Sequence, residues 1–148
     1  MPTAGTIAVA IAVPLAARTG WQRSRIPAQA WPADGQGLSG NDWAVAASRT
    51  EVLPGHRATS AGVPGEKTAT ARSTLLVRFA SVLRPDAVHD DYEAATTTVL
   101  AELLTVIAAT NVAGFGELTP QEITHQAMGR WVFTTITLTV VHLLTVRS

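Results

Sequence analysis

The spacing of apolar positions along the chain changes several times, and each change marks an element. Leu75, Val77, Phe79 and Leu83 alternate with Arg78, Ala80 and Arg84, the period-two pattern of a strand with one wet face. Arg84-Pro85-Asp86 ends it. From about Ala87 to Thr110 the period lengthens. Tyr92, Ala95, Val99, Leu103 and Val106 recur every three or four residues, and Leu100, Leu104 and Ile107 widen the stripe, which predicts a helix. Asp86, Asp90, Asp91 and Glu93 crowd its first turns, where the helix dipole favours negative charge. From Trp131 to Leu144 the period returns to two. Val132, Thr134, Ile136, Leu138, Val140, His142 and Leu144 form one face, suited to a core. Trp131, Phe133, Thr135, Thr137, Thr139, Val141 and Leu143 form the other, suited to solvent or a neighbouring subunit.

The remaining segments are less regular. From Thr3 or Thr6 to about Thr19, Ile7, Val9, Ile11, Val13 and Leu15 alternate with Ala as a strand would. The Ala content and the length favour a helix, with Pro14 kinking or ending it. Trp21 to Asn41 reads as a loop with Pro27 and Pro32, anchored by Trp21, Ile26 and Trp31. Asp42 to Ser48 predicts a short strand that continues through Val52. Pro54 to Thr70 holds two Pro-Gly pairs and few large apolar groups, and reads as a long loop or a hairpin extension. After a Gly114–Gly116 turn, Ile123 to Met128 is a further short strand candidate. The sum is a single α+β domain over residues 1–148. It has a small, mainly antiparallel sheet, an N-terminal helix, a longer central helix and long Gly/Pro-rich loops.

Composition narrows the function classes. Charged residues make up 15% of the 148, against a typical value of about 25%, and the formal net charge is zero. That argues against a disordered charged tail and against binding carried by phosphate neutralisation. With no Cys there is no disulfide framework and no thiolate chemistry. So little charge is unusual for a free monomer and suggests assembly. The neutrality is also partitioned. Residues 1–84 carry nine basic and four acidic groups, a net +5, and residues 85–148 carry two and seven, a net −5. Halves of opposite sign suit a head-to-tail arrangement of copies, which closes into a ring when the rotation permits. No membrane segment is expected. The uncharged run Ile7–Ala17 falls short of the roughly 20 residues a spanning helix needs, and no basic residue precedes it. Trp131–Val146 alternates as a strand does.

Candidate chemistry is sparse. Gly114-Phe115-Gly116-Glu117-Leu118-Thr119-Pro120 has the outline of a channel filter, but its flanks are too short and too polar, and it reads as a turn. Among the histidines, His56 lies in a Pro/Gly loop and His89 among acids at a helix start, while His142 falls on the core face as a hydrogen-bonded core residue. His89-Asp90-Asp91 and Glu122/His125 are weak metal-ligand patterns. No nucleophile elbow and no phosphate-binding loop is present. The expectation is therefore no enzyme, no cofactor and no metal.

Several stretches in this order carry a resemblance. Gly20-Trp21-Gln22-Arg23-Ser24-Arg25-Ile26-Pro27 follows the first helix. Leu75-Leu76-Val77-Arg78-Phe79-Ala80 leads into Leu83-Arg84-Pro85-Asp86-Ala87 and Asp91-Tyr92-Glu93-Ala94-Ala95. Gly129-Arg130-Trp131 precedes the strand Thr135–His142. Over most of its length the chain resembles the tail terminator (tail completion, or head–tail joining) proteins of long-tailed bacteriophages.

The resemblance implies a structural virion protein that forms a ring, commonly six-fold, at the head-proximal end of the tail tube. Such a ring ends tube polymerisation and offers a surface to the head connector. Its partners would be copies of itself, the tail tube protein and the connector or neck proteins. DNA would pass through the ring without sequence-specific binding, no membrane would be involved, and assembly would take place in the host cytoplasm. The resemblance fixes no individual residues. Contact positions are expected in the 54–70 segment and in the basic set Arg23, Arg25, Arg49 and Arg57, with His56, Lys67, Trp131 and Phe133 as further candidates. Two alternatives stay open. One is another neck or tail component, such as a connector or tube subunit. The other is a small soluble α/β enzyme or binding domain, which would need a pocket with convergent polar groups.

Overall fold

A computed structural model describes residues 3–59, 66–110 and 116–147. Helix α1 (Ala4–Ala16) begins where the Thr3 side chain accepts a hydrogen bond from the Thr6 amide. Ile7, Ile11 and Leu15, four residues apart, face inward and are buried. Each contributes about 1.5–3 kcal/mol by leaving water. Pro14 neither ends nor precedes the helix, which runs two residues beyond it. In the last turn the missing N–H costs only the bond to the Ala10 carbonyl.

A five-stranded sheet follows, built from β1 (Gln22–Arg23), β2 (Asp42–Thr59), β3 (Glu66–Val82), β4 (Thr119–Met128) and β5 (Trp131–Arg147). The spatial order is β1-β2-β3-β5-β4, with β1 parallel to β2 and every other pair antiparallel. The segment expected as a loop or hairpin extension is a hairpin extension. β2 continues to Thr59 and β3 starts at Glu66, while positions 60–65 lie outside the described residues. β2 runs seven residues past Val52, to Thr59, and two irregularities break its alternation. Ser48 is an extra residue between Ala47 and Arg49, and Leu53–His56 oppose Thr70 alone in a wide bulge. β4 likewise starts four residues before Ile123, at Thr119.

Helix α2 runs from Val88 to Ala109 and widens to a π-type turn over Ala95–Val99. The Thr96 and Thr97 hydroxyls donate to the carbonyls of Tyr92 and Glu93 at 3.0 and 2.6 Å, so the poor helix formers there satisfy backbone acceptors directly. This helix is long and apolar enough to cross a membrane by length and composition, but its Leu103, Val106 and Ile107 are buried in the core.

The two helices lie on one face of the sheet. Ile7, Ile11, Leu15, Leu103 and Ile107 meet Trp43, Leu75, Val77, Phe79, Ile136, Leu138 and Val140 there. The opposite face carries a smaller cluster. The segment after β1, with a short 3-10 turn at Ala28–Ala30, folds across one end of the sheet and sets Ile26, Ala28, Trp31 and Leu38 against Ala80, Trp131 and Phe133. Gly35 makes that approach possible. It sits at φ +73°, and a Cβ there would lie 2.1 Å from the Trp131 indole nitrogen. Beyond this cover the same face is open. Thr135, Thr137 and Thr139 are half-buried, and Val141 and Leu143 are exposed.

Candidate functional site

The residues expected to make contacts do not gather into one patch. Arg23 and Arg25 come closest to doing so. β1 and the turn after it place both on a groove of about 340 Å³, shared with Ile26, Pro27, Ala44 and Val45. Arg23 also stacks over the Trp43 ring, 5.9 Å from its centroid. Arg49 lies six residues further along β2, about 20 Å away at strand spacing. It bonds the Glu51 carboxylate at 2.8 Å on the surface, which neutralises it locally. Arg57 pairs through its backbone with Ala69, Lys67 with Thr59 and Val146, and His56 lies in the wide bulge of β2. The side chains of these three lie outside the described part of the structure.

Trp131 and Phe133 differ from the expectation. Each is only 3% exposed. Their rings stack on each other at 6.2 Å, and Trp31 packs on Phe133 at 6.0 Å. Their surface is covered within the chain by the Ile26–Leu38 segment, so neither side chain is presented to a partner. The alternation of β5 places them correctly on the face opposite the helices. What it does not reveal is that a segment a hundred residues earlier covers that end of the face.

Arg78 was not singled out by the sequence, yet it is the best-connected charged group on this face. Its Nη1 donates to the Ala28 carbonyl at 2.7 Å and its Nε to the Thr135 hydroxyl at 3.3 Å. The guanidinium lies 4.9 Å from the Trp31 ring centroid and 5.7 Å from that of Phe133. Burial lowers its pKa from the ordinary arginine value, and no carboxylate pairs with it among the described residues. Arg78 pins the covering segment to the sheet. The only sequence signal is a charged residue inside an otherwise apolar strand.

A second buried polar group lies on the helix-bearing face. Ser73 Oγ and His142 Nε2 are 2.7 Å apart, with Ser73 0% and His142 3% exposed. Thr50 Oγ1 continues the chain from Ser73 at 3.0 Å, and His142 Nδ1 faces the Leu143 carbonyl at 3.3 Å. The histidine is thus hydrogen-bonded inside the core, as its strand position predicts. Among the described residues no carboxylate orients its ring. The acidic and histidine patterns at 89–91 and 122/125 do not converge, and no group of three metal-ligating side chains occurs among the described residues. Asp91 instead bonds the Arg84 side chain and backbone amide, at 2.9 and 2.7 Å.

The remaining open features are at the two lateral edges of the sheet. β1 pairs only with Asp42 and Trp43, so β2 beyond them has no strand beside it among the described residues. At the other side β4 is the terminal strand, and its residues are almost all exposed. Each edge carries a groove on the helix-bearing face. One, of about 340 Å³, runs between α1 and β2 and is lined by Val9, Val13, Trp21 and Val45. The other, of about 580 Å³, runs between the end of α2 and β4 and is lined by Leu104, Ile107, Leu118 and Pro120. Val9 and Val13 are 63% and 66% exposed and stand one turn apart on α1. These paired edges, more than any polar cluster, are what the fold offers to another molecule. Compared with known proteins, the chain matches no family model and no curated sequence.

Proposed function

We propose that the chain is a structural subunit that assembles as a ring at the head-proximal end of a phage tail tube, ends tube growth and joins the tail to the head connector. The observation that carries this reading is the pair of sheet edges with no strand beside them among the described residues, each with an apolar groove beside it, on a chain of low charge. Such edges are templates for further pairing, and proteins that stay monomeric usually blunt or cover them. The element succession gives further support: the resemblance to tail terminators rests on the order helix, long loop, strand, long Gly/Pro segment, strand, helix and strand, and the chain has these elements in that order, with one more strand before the last. The β2–β3 hairpin, running to Thr59 and from Glu66, suits contact with a tube or a neighbour. In this reading DNA passes through the ring without base-specific contact, and the protein resides in the virion after assembly in the host cytoplasm.

The test is deletion of the gene from the phage genome that carries it, with electron microscopy of the particles. Tails of uncontrolled length, unjoined to heads, are expected. Tails of normal length on intact particles would overturn the proposal. Purified protein that grows into filaments instead of closed rings would favour a tube subunit.

A further inference from the structure

We infer that the β2 edge just past β1 takes an extended peptide segment of another protein, one in which apolar and acidic side chains alternate. The inference goes beyond the tail reading: it uses the same open edge but needs neither the ring nor the virion. The chain first vacates this edge. β1 is only two residues long. Its line ends at Ser24, whose amide donates to the Trp43 carbonyl at 2.8 Å. The Ser24 hydroxyl then donates to the Ile26 carbonyl and accepts from the Ile26 amide, at 2.9 and 3.0 Å, and this turn sends the chain across the face opposite the helices. Backbone groups alternate in direction along a strand, so the outward carbonyl of Trp43 means that Val45 and Ala47 also turn their N–H and C=O outward. No strand lies beside them among the described residues, and the Ser48 bulge closes the stretch.

This short stretch is flanked by a groove of about 340 Å³ on each face of the sheet, and Arg23 and Val45 line both grooves. On the helix-bearing face the groove is lined by Val9, Val13, Trp21 and Trp43, and Arg23 is its one charged residue. On the other face Arg23 and Arg25 share the groove with Ser24 and Gln29. No carboxylate lines either groove, and neither arginine forms an ion pair among the described residues. The acids elsewhere on β2 are already engaged. Asp42 is buried and accepts from the Ser39 and Gly40 amides, and Glu51, beyond the bulge, pairs with Arg49.

These surroundings select the occupant. An added strand sends successive side chains to opposite faces. Those on one side enter the apolar groove, and those on the other meet Arg23, Arg25 and Gln29, while the backbone pairs with Val45 and Ala47. A small apolar molecule would fill one groove and leave the edge bare. An extended segment with apolar and acidic residues in alternation satisfies the edge and both grooves together.

The experiment titrates the full chain, at low salt, onto a fluorescein-labelled peptide of sequence Ser-Val-Glu-Val-Glu-Val-Ser and reads fluorescence polarisation. Binding with a Kd below about 1 mM is expected. A peptide with Lys in place of Glu, and one with the same residues in the order Ser-Val-Val-Val-Glu-Glu-Ser, should each bind at least about tenfold more weakly. Two N-methylated forms, one at the Val amides and one at the Glu amides, block the two edges of the peptide in turn, and one of them should lose binding by a similar factor. On the protein, R23Q/R25Q should weaken binding at least about tenfold and V9S/V13S at least about threefold. Thermal melts by circular dichroism check that each variant folds. Because Arg23 also stacks on Trp43, R25Q alone replaces the double variant if that does not fold, with a loss of about threefold expected.

Absence of binding up to about 1 mM overturns the inference. So does a Lys or non-alternating peptide that binds equally well, a pair of N-methylated forms that both bind unchanged, or a folded R23Q/R25Q with unchanged affinity. Oligomers of the chain alone that R23Q/R25Q disperses in sedimentation would assign the edge to a second copy and overturn it too. The tail reading fails separately: peptide binding alongside normal tails after gene deletion rejects the tail role and supports this site.

Discussion

Gly35→Ala is the sharpest probe of how the segment after β1 is held. Gly35 sits at φ +73°, where an L side chain is strained by about 1–2 kcal/mol. The added Cβ would also lie 2.1, 2.3 and 2.6 Å from three atoms of the Trp131 indole. That indole is 3% exposed and stacked on Phe133, so it has little room to move. Forcing atoms into a filled cluster costs typically about 1–3 kcal/mol more. The total, about 2–5 kcal/mol, is a large share of the roughly 5–15 kcal/mol that holds a domain together. At about 2–4 °C per kcal/mol for a chain of this size, the melting temperature should fall by about 10 °C. Gly20→Ala provides the control. Gly20 has φ +84° but nothing within 4 Å of the added carbon, so it meets the backbone penalty alone. Urea unfolding followed by circular dichroism and tryptophan fluorescence measures both. If the two variants lose the same stability to within about 0.5 kcal/mol, the indole does not pack on Gly35 and the account of this cover is wrong.

Three further outcomes follow from the geometry. Arg78→Lys removes the planar fork and the stack on Trp31 and leaves the Ala28 carbonyl poorly paired, so it should cost about 1–2 kcal/mol. Amide exchange confined to faster rates at Ala28–Trp31 would locate the effect, and unchanged exchange there would refute the pin. The hydrogen bond from the Arg84 side chain, then the one from its backbone amide, holds the Asp91 carboxyl below its ordinary value of 3.8. A depressed folded pKa means stability that is present above that ordinary value and lost as pH falls through the folded one. Melting of Asp91→Asn should therefore lie below wild type at pH 6 and converge with it towards pH 2. Burial lowers the pKa of His125 from its ordinary 6.5, so the unfolded chain takes up the proton first. Stability should be fullest above pH 6.5 and decline as pH falls from there to the folded pKa, and His125→Gln should flatten that slope.

Much of the fold was legible because its signals are local. Residues 75–82 and 131–144 became strands in a single register with each other, the first ending at Val82, one residue short of Leu83. The three-to-four spacing from Tyr92 to Ile107 became one helix, since the π-type turn at Ala95–Val99 widens the helix without ending it. β2 was legible as a strand to Val52, but its alternation only to its first bulge. Ser48 shifts the phase so that Thr50 and Val52, and not Arg49, continue the face of Val45 and Ala47, and a period-two pattern read from the sequence dissolves there. The candidate contacts failed for a different reason. Trp131 and Phe133 are buried by residues 26–38, and Arg78 is held by a carbonyl 50 positions away. Nothing within a window of ten or fifteen residues carries that information.

The charge partition shows how a feature of the sequence can be dissolved by the fold. A net +5 in one half of a chain and −5 in the other is neutral in sum, and in a fold whose halves interleave it would leave no field. Here the halves do interleave: residues 26–38 cover Trp131 and Phe133, Arg18 pairs with Glu102, and Arg84 pairs with Asp91. Arg72 and Arg78 stand on the central strand and Arg49 is paired with Glu51 on β2, so the partition along the chain does not become two charged sides of the sheet. Neutrality here is reached pair by pair within the subunit as well as in the sum.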